Sequence, residues 1–135
     1  MKYLFIIAIG CWSFIAPSEV QKIKIKGLMT VIKDLDGEFM YSRAWVETDY
    51  LGVMNFDKSK MSIYTPTEFD IDIIKIGVVT KDPRNNSVLK LTGIDNAGEK
   101  CTVGLITLDK PEDGYRFFLK VEYADVILVY RYVYE

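Results

Sequence analysis

The chain has no histidine, and this absence excludes more chemistry than any other feature of its 135 residues. Without an imidazole there is no Ser-His or Cys-His nucleophile, no histidine-bound metal and no usual general base near neutral pH. The sequence also lacks a Gly-rich phosphate loop, a Cys-x-x-Cys pair and a serine nucleophile elbow. We therefore predict that the protein is not an enzyme and has no catalytic residues, metal ligands or cofactor.

Cysteine is scarce as well, with Cys11 near the start and Cys101 in the body of the chain. A single cysteine in the folded part cannot form an internal disulfide, so stability has to come from a hydrophobic core. Cys101 falls on an apolar row of its segment, and no basic neighbour that would activate a thiolate can be named from the sequence. It is predicted to be a small buried hydrophobe.

The chain also lacks a concentrated basic segment, since 17 Lys and Arg are spread against 19 Asp and Glu. Binding to nucleic acid requires a clustered positive face, so nucleic acid is excluded as an expected partner. The remaining candidates are an unknown protein or a small molecule.

Residues 1–18 are predicted to be a signal peptide. Lys2 is followed by a mostly apolar run over residues 3–15, and small residues at positions 16 and 18 favour cleavage before Glu19. The run is shorter than the roughly 20 apolar residues of a spanning helix, so no stable membrane span is expected after its removal. This predicts export to the periplasm or the cell exterior, with one β domain over residues 19–135. The alternative is lipid anchoring through Cys11, because the apolar segment that ends there resembles a lipoprotein cleavage site.

The clearest fold signal lies in residues 115–134, where apolar residues occupy alternate positions. They are odd-numbered up to Tyr123 and even-numbered after it. A turn at residues 124–125 explains this shift, because it pairs Leu119 with Tyr130 and places both apolar rows on one face. The segment is predicted to be a hairpin whose ring-rich face points into the core.

Alternating segments between turn formers predict strands along the rest of the chain. They lie at 21–26, 28–32, 38–48, 53–56, 61–65, 69–80, 88–94 and 100–108. Leu91 is expected opposite Val103, with Gly98 free to take a positive φ in the loop between them. The lysines of the first segment favour an exposed edge strand. The run 73–79 loses its alternation, which indicates burial on both faces or a bend at its glycine.

These segments predict an all-β fold, an antiparallel meander of about eight or nine strands. Each strand pair adds a right-handed twist, so a long meander curls, and closure into a small barrel removes its exposed edges. A two-layer β-sandwich is the alternative. Strand count and meander order resemble those of lipocalin-like barrels, but Arg43-Ala44-Trp45 has arginine where their Gly-x-Trp signature has glycine. No family is therefore assigned.

Two groups of side chains are candidate sites. Tyr115, Tyr123, Tyr130 and Tyr132 would point inside a closed barrel, where they either line a small-ligand cavity or fill the core. Asp70 and Asp72 share one face of a strand and could form a two-carboxylate hydrolytic site, although alternating acids are typical of any solvated face.

The leading functional hypothesis is an exported, non-catalytic binding or interaction module. A carrier of a small apolar ligand in the barrel interior is the second hypothesis, and a carboxylate-dependent hydrolase is the third.

Overall fold

The computed structural model describes residues 20–34, 40–65 and 68–135. The predicted signal peptide and most of the Asp-Gly turn expected at 34–37 lie outside these residues. The described elements are all strands: β1 Val20–Lys33, β2 Met40–Ser42, β3 Val46–Asn55, β4 Lys60–Tyr64, β5 Glu68–Lys81, β6 Ser87–Asp95, β7 Lys100–Glu112, β8 Tyr115–Glu122 and β9 Val126–Tyr134.

The strands form one antiparallel meander that closes on itself. From β3 to β9 each strand pairs with the next in sequence, and β1 pairs with both β3 and β9. Eight strands therefore make a closed barrel, and β2 extends the pairing along β1 beside β3. This confirms the predicted all-β barrel and excludes the sandwich, because a single sheet wraps round the core.

Both C-terminal hairpins have the predicted register. Leu119 pairs with Tyr130 around the turn at residues 124–125, and Leu91 pairs with Val103. Gly98 has φ of 84°, as its loop requires. Alternation of apolar residues was sufficient here because each partner strand lies next in sequence.

The prediction that the first strand is an edge strand is wrong. β1 is a single strand that pairs on both sides, with a bulge between Ile25 and Gly27. Its lysines lie on the outer face of the barrel, where Lys26 makes an exposed ion pair with Asp49 at 3.2 Å. Pairing of β9 with β1 covers the edge that the lysines were expected to protect, and it closes the barrel.

The single strand predicted at 38–48 is also wrong. β2 ends at Ser42 and β3 begins at Val46, and the three residues between them leave the ladder. The backbone N–H of Arg43 still donates to the Thr30 carbonyl oxygen at 2.9 Å. Within this gap, the ring of Trp45 packs on Phe118, with ring centroids 6.0 Å apart. The predicted strand 53–56 is the end of β3 rather than a separate element.

The barrel interior is filled by side chains. Eleven of them expose less than 2% of their surface: Ile23, Ile25, Met54, Met61, Ile63, Ile71, Leu91, Val103, Leu119, Val121 and Tyr132. They come from all eight barrel strands, because alternate residues of each strand point inward. A cavity large enough for a water molecule would give the side chains around it some solvent-accessible surface. These side chains have almost none, so they pack as a solid core.

Candidate functional site

The four candidate tyrosines occupy three different environments. Tyr130 and Tyr132 lie in the core, with 4% and 2% of their surfaces exposed. Tyr132 stacks on Phe117 at a centroid distance of 5.7 Å and meets Tyr134 edge-on at 5.6 Å. Burial raises the pKa of Tyr130 to about 12. These two rings act as core filling in the structure, which was the competing interpretation for the whole row.

Tyr123 follows β8 directly and lies beside the loop between β6 and β7. Its ring is buried, and its hydroxyl donates to Asp95 Oδ2 at 2.8 Å. Burial is the main cause that raises the pKa of Tyr123, and the bond to Asp95 adds to it. The other oxygen of Asp95 accepts the backbone N–H groups of Ala97 and Glu99 at 2.9 and 2.8 Å. The carboxylate thus fixes the β6–β7 loop and holds it against the end of β8.

This carboxylate is expected to make stability pH-dependent. The N–H of Glu99, followed by the Tyr123 hydroxyl, holds the pKa of Asp95 below its ordinary value. Its contribution is therefore complete above about pH 4 and lost as pH falls through the folded-state pKa. The urea concentration at the midpoint of unfolding should therefore fall when the wild-type protein is taken from neutral pH to about pH 3. We expect this decrease to be smaller in Asp95→Asn, which has no carboxylate to protonate at this position.

The control for this substitution is Asp125→Asn, in the exposed β8–β9 turn. In this variant the urea midpoint of unfolding should decrease on acidification as much as it does in the wild type. An Asp95→Asn protein with the full wild-type pH dependence would show that this carboxylate does not contribute to it.

Tyr115 lies apart from the other three tyrosines, against Arg131. The Arg131 guanidinium is 4.6 Å from the Tyr115 ring centroid and 4.5 Å from that of Trp45. Arg131 belongs to the outward row of β9, and its Nε is buried without a hydrogen-bond partner. A Cβ on Gly27 would meet that Nε at 2.5 Å, so a glycine leaves the room that the guanidinium occupies. Cation–π contact with two rings compensates for the missing hydrogen bond.

The other chemical candidates have separate environments. Cys101 is 3% exposed, and burial raises the pKa of its thiol, consistent with the predicted small hydrophobe. It lies beside an open depression of about 280 Å³ that the ion pair of Lys33 and Glu122, 2.9 Å long, borders. Asp72 is largely solvated, with Lys60 4.0 Å away, whereas one carboxylate oxygen of Asp70 is buried without a hydrogen-bond partner.

Among the residues that the structure describes, the second half of β5 has an unusual surface. β4 pairs only with residues 68–72 of β5, and the Ile73 N–H donates to Ser59 at 2.8 Å. From Ile74 to Lys81, no described strand pairs with the side of β5 that faces away from β6. We call residues 74–81 the open edge. Along it, alternate backbone N–H and C=O groups face away from the barrel ladder.

The open edge is also apolar. Ile74, Ile76, Val78 and Val79 expose 55%, 44%, 77% and 49% of their surfaces. The sheet is irregular here, with register shifts at Ile73/Lys75 and at Ile76/Val79. A Cβ on Gly77 would meet the Lys90 carbonyl oxygen at 2.8 Å, so the close approach of β6 depends on this glycine. Of the two interpretations of run 73–79, burial on both faces is wrong, and the register shift around Gly77 is consistent with the other, a bend at this glycine.

The hairpin that carries the open edge is basic. Residues 74–91 contain Lys75, Lys81, Arg84 and Lys90 against one acid, Asp82, so the charge is 4 − 1 = +3 in a chain of net charge −2. None of the four cations forms an ion pair with any residue that the structure describes. Asp82 accepts the N–H groups of the loop residues Arg84 and Asn86, both at 2.9 Å.

A signal for the open edge was present in the sequence. The predicted strand 61–65 is much shorter than its predicted partner 69–80, so the longer strand had to extend beyond it. The sequence interpretation left the run 73–79 as either buried on both faces or bent at its glycine, and it did not compare the lengths of the two strands.

The described ranges 20–34, 40–65 and 68–135 contain no group of three or more Cys, Asp or Glu side chains placed to hold a metal ion. In the same ranges, no helix has the length and apolar character needed to cross a membrane.

Comparison of the chain with known protein families, with curated proteins and with solved structures finds no match.

Proposed function

We propose that this protein is a non-catalytic interaction module that binds another protein through the outer surface of its barrel. The observation that carries the proposal is the open edge, where four large apolar side chains and a row of backbone hydrogen-bonding groups face solvent. Soluble proteins seldom expose a contiguous apolar patch of this kind unless something binds to it. The predicted leader would deliver such a module to the periplasm or the cell exterior.

Because the barrel interior is filled, a binding site on the outer surface is favoured over one inside the barrel. A carrier needs an enclosed volume of roughly 300 Å³ or more. The eleven nearly inaccessible core side chains leave no such space between them. Tyr130 and Tyr132, the candidate residues for an interior ligand, pack against other side chains.

Site-specific photo-crosslinking tests the proposal. A photoreactive amino acid is placed at Val78, which is 77% exposed on the open edge, or at Val46, which is 60% exposed on β3. In the cells that produce the protein, we expect a discrete protein adduct at position 78 and none at position 46. Adducts of equal yield at both positions, or none at position 78, would contradict an interaction module that uses this surface. An apolar small molecule that co-purifies with the barrel would favour the carrier instead.

A further inference from the structure

We propose that the open edge binds its partner by strand addition, and that the partner segment is an extended stretch of another protein in which apolar and acidic residues alternate. This inference rests on the proposed function and specifies the kind of partner. In this binding mode a peptide joins an exposed sheet edge, so backbone hydrogen bonds supply affinity and side chains supply selectivity.

The unpaired backbone is the first argument. Beyond Ile73 the outer side of β5 has no partner strand within the described chain, whereas its inner side pairs with β6 as far as Lys81. A membrane cannot satisfy these N–H and C=O groups, because open sheet edges are not stable in hydrocarbon. A polypeptide strand satisfies them directly. The edge therefore favours a peptide over a lipid surface.

The charge around the edge is the second argument. Lys75 and Lys81 lie on the open edge itself, and Arg84 and Lys90 lie on the same hairpin. Two copies of the chain paired through this edge would bring two hairpins of charge +3 together, and like charges on adjacent strands are destabilising. An acidic strand would instead place its carboxylates near the lysines. Charge thus selects a different, acidic chain over a second copy.

The exposed apolar side chains are the third argument. Lysines and bulges alone protect a strand edge from unwanted pairing. Ile74, Ile76 and Val78 add apolar area that such protection does not need. A partner strand with valine, isoleucine or leucine at alternate positions would cover these side chains on one face and direct its acids to the other.

Three synthetic peptides separate these contributions. One alternates valine and glutamate, one alternates valine and lysine, and the third is the glutamate peptide with alternate backbone amides N-methylated. Binding is followed by the anisotropy of labelled peptide and by the amide chemical shifts of the full-length mature protein. We expect the first peptide to bind with shift changes concentrated at residues 74–81, and the other two to bind at least about tenfold more weakly.

A matched pair of variants locates the site. Val78→Glu places a carboxylate on the open edge and is expected to weaken binding of the glutamate peptide roughly tenfold or more. Val46→Glu makes the same change at an exposed valine of β3 and should bind the peptide as the wild type does. Both positions are exposed, so both variants are expected to fold, and circular dichroism verifies this.

Each contrary result overturns the inference in a distinct way. Failure of the glutamate peptide to bind at millimolar concentration rules out an acidic strand partner. Equal binding of the N-methylated peptide would indicate non-specific apolar contact. Concentration-dependent dimerisation that Val78→Glu abolishes would identify a second copy as the occupant, and peptide-independent binding to vesicles of phosphatidylglycerol would identify a lipid surface. If a photo-crosslink from position 78 to a different protein persists in any of these cases, the interaction module stands and only the proposed mode fails.

Discussion

Replacing Leu119 by alanine is expected to lower the free energy of unfolding by about 2–5 kcal/mol, a large part of the 5–15 kcal/mol typical of a single domain. Leu119 is fully buried on β8, where it pairs with Leu105 of β7 and Tyr130 of β9. The removed methyl groups would lose their contacts, and strands tied into a closed ladder cannot move inward to refill the space. Equilibrium unfolding in urea measures the change.

Leu51→Ala is the matched control. Leu51 is 38% exposed on β3 and lies outside the core cluster, so the same substitution should cost well under half as much. Equal losses at the two positions would mean that the interior of the barrel is not packed as described. A small loss at Leu119 would have the same meaning, because a loose core can relax around the missing atoms.

Replacing Gly93 by alanine is expected to destabilise the barrel by about 1–3 kcal/mol through overpacking. A Cβ at this position would collide with the Ile71 side chain and would lie 3.1 Å from the Asp72 carbonyl oxygen. Ile71 is fully buried, and the Asp72 carbonyl belongs to the backbone of β5, so neither neighbour can move without disturbing the β5–β6 ladder. Thermal and urea unfolding measure the loss.

Gly104→Ala makes the same change on β7. Its new Cβ would find the Lys120 Cβ at 3.8 Å, an ordinary contact. We expect this variant to be as stable as the wild type or up to about 1 kcal/mol more stable, because alanine restricts the unfolded chain. A Gly93→Ala protein as stable as Gly104→Ala would contradict the close approach of β5 and β6 in the structure.

Local alternation was sufficient to predict those parts of the fold in which sequence neighbours pair. The β8–β9 hairpin needed only the change of apolar parity after Tyr123 and a turn between the arms. Its pairs follow directly from the turn position. The closed barrel was inferred from the number of strands and their twist. This inference is correct because any long antiparallel meander curls in this way, whatever its particular residues.

Long-range contacts account for what the sequence interpretation missed. The break between β2 and β3 places Trp45 on Phe118 and beside Arg131, partners that are distant in sequence and lie on the outer face of the C-terminal hairpin. The contact with Trp45 also explains why Phe118, on the outer face of the C-terminal hairpin, is only 8% exposed. The alternation of residues within 38–48 cannot indicate that distant side chains contact Trp45 and interrupt the strand at this point.

The candidate site was predicted less well than the fold. The tyrosine row was selected because it is rich in rings, but a ring-rich row serves equally well as core, and Tyr130 and Tyr132 are core residues in the structure. The open edge depends on how far β5 extends beyond β4, which is a comparison between two strands. Residues 74–81 could have been found in this way, and periodicity within β5 alone could not reveal them.

Amide hydrogen exchange, resolved by residue, tests most directly the claim that the barrel is closed and that the open edge has no partner among the described strands. Amides that bond across the β1–β9 seam, in Ile23–Ile32 and Val126–Tyr134, are predicted to exchange among the slowest in the protein. On the open edge, the amides that point away from β6 are predicted to exchange at rates near those of an unstructured peptide, in alternation with protected ones. Uniform protection along residues 74–81, or rapid exchange across the β1–β9 seam, would contradict this account.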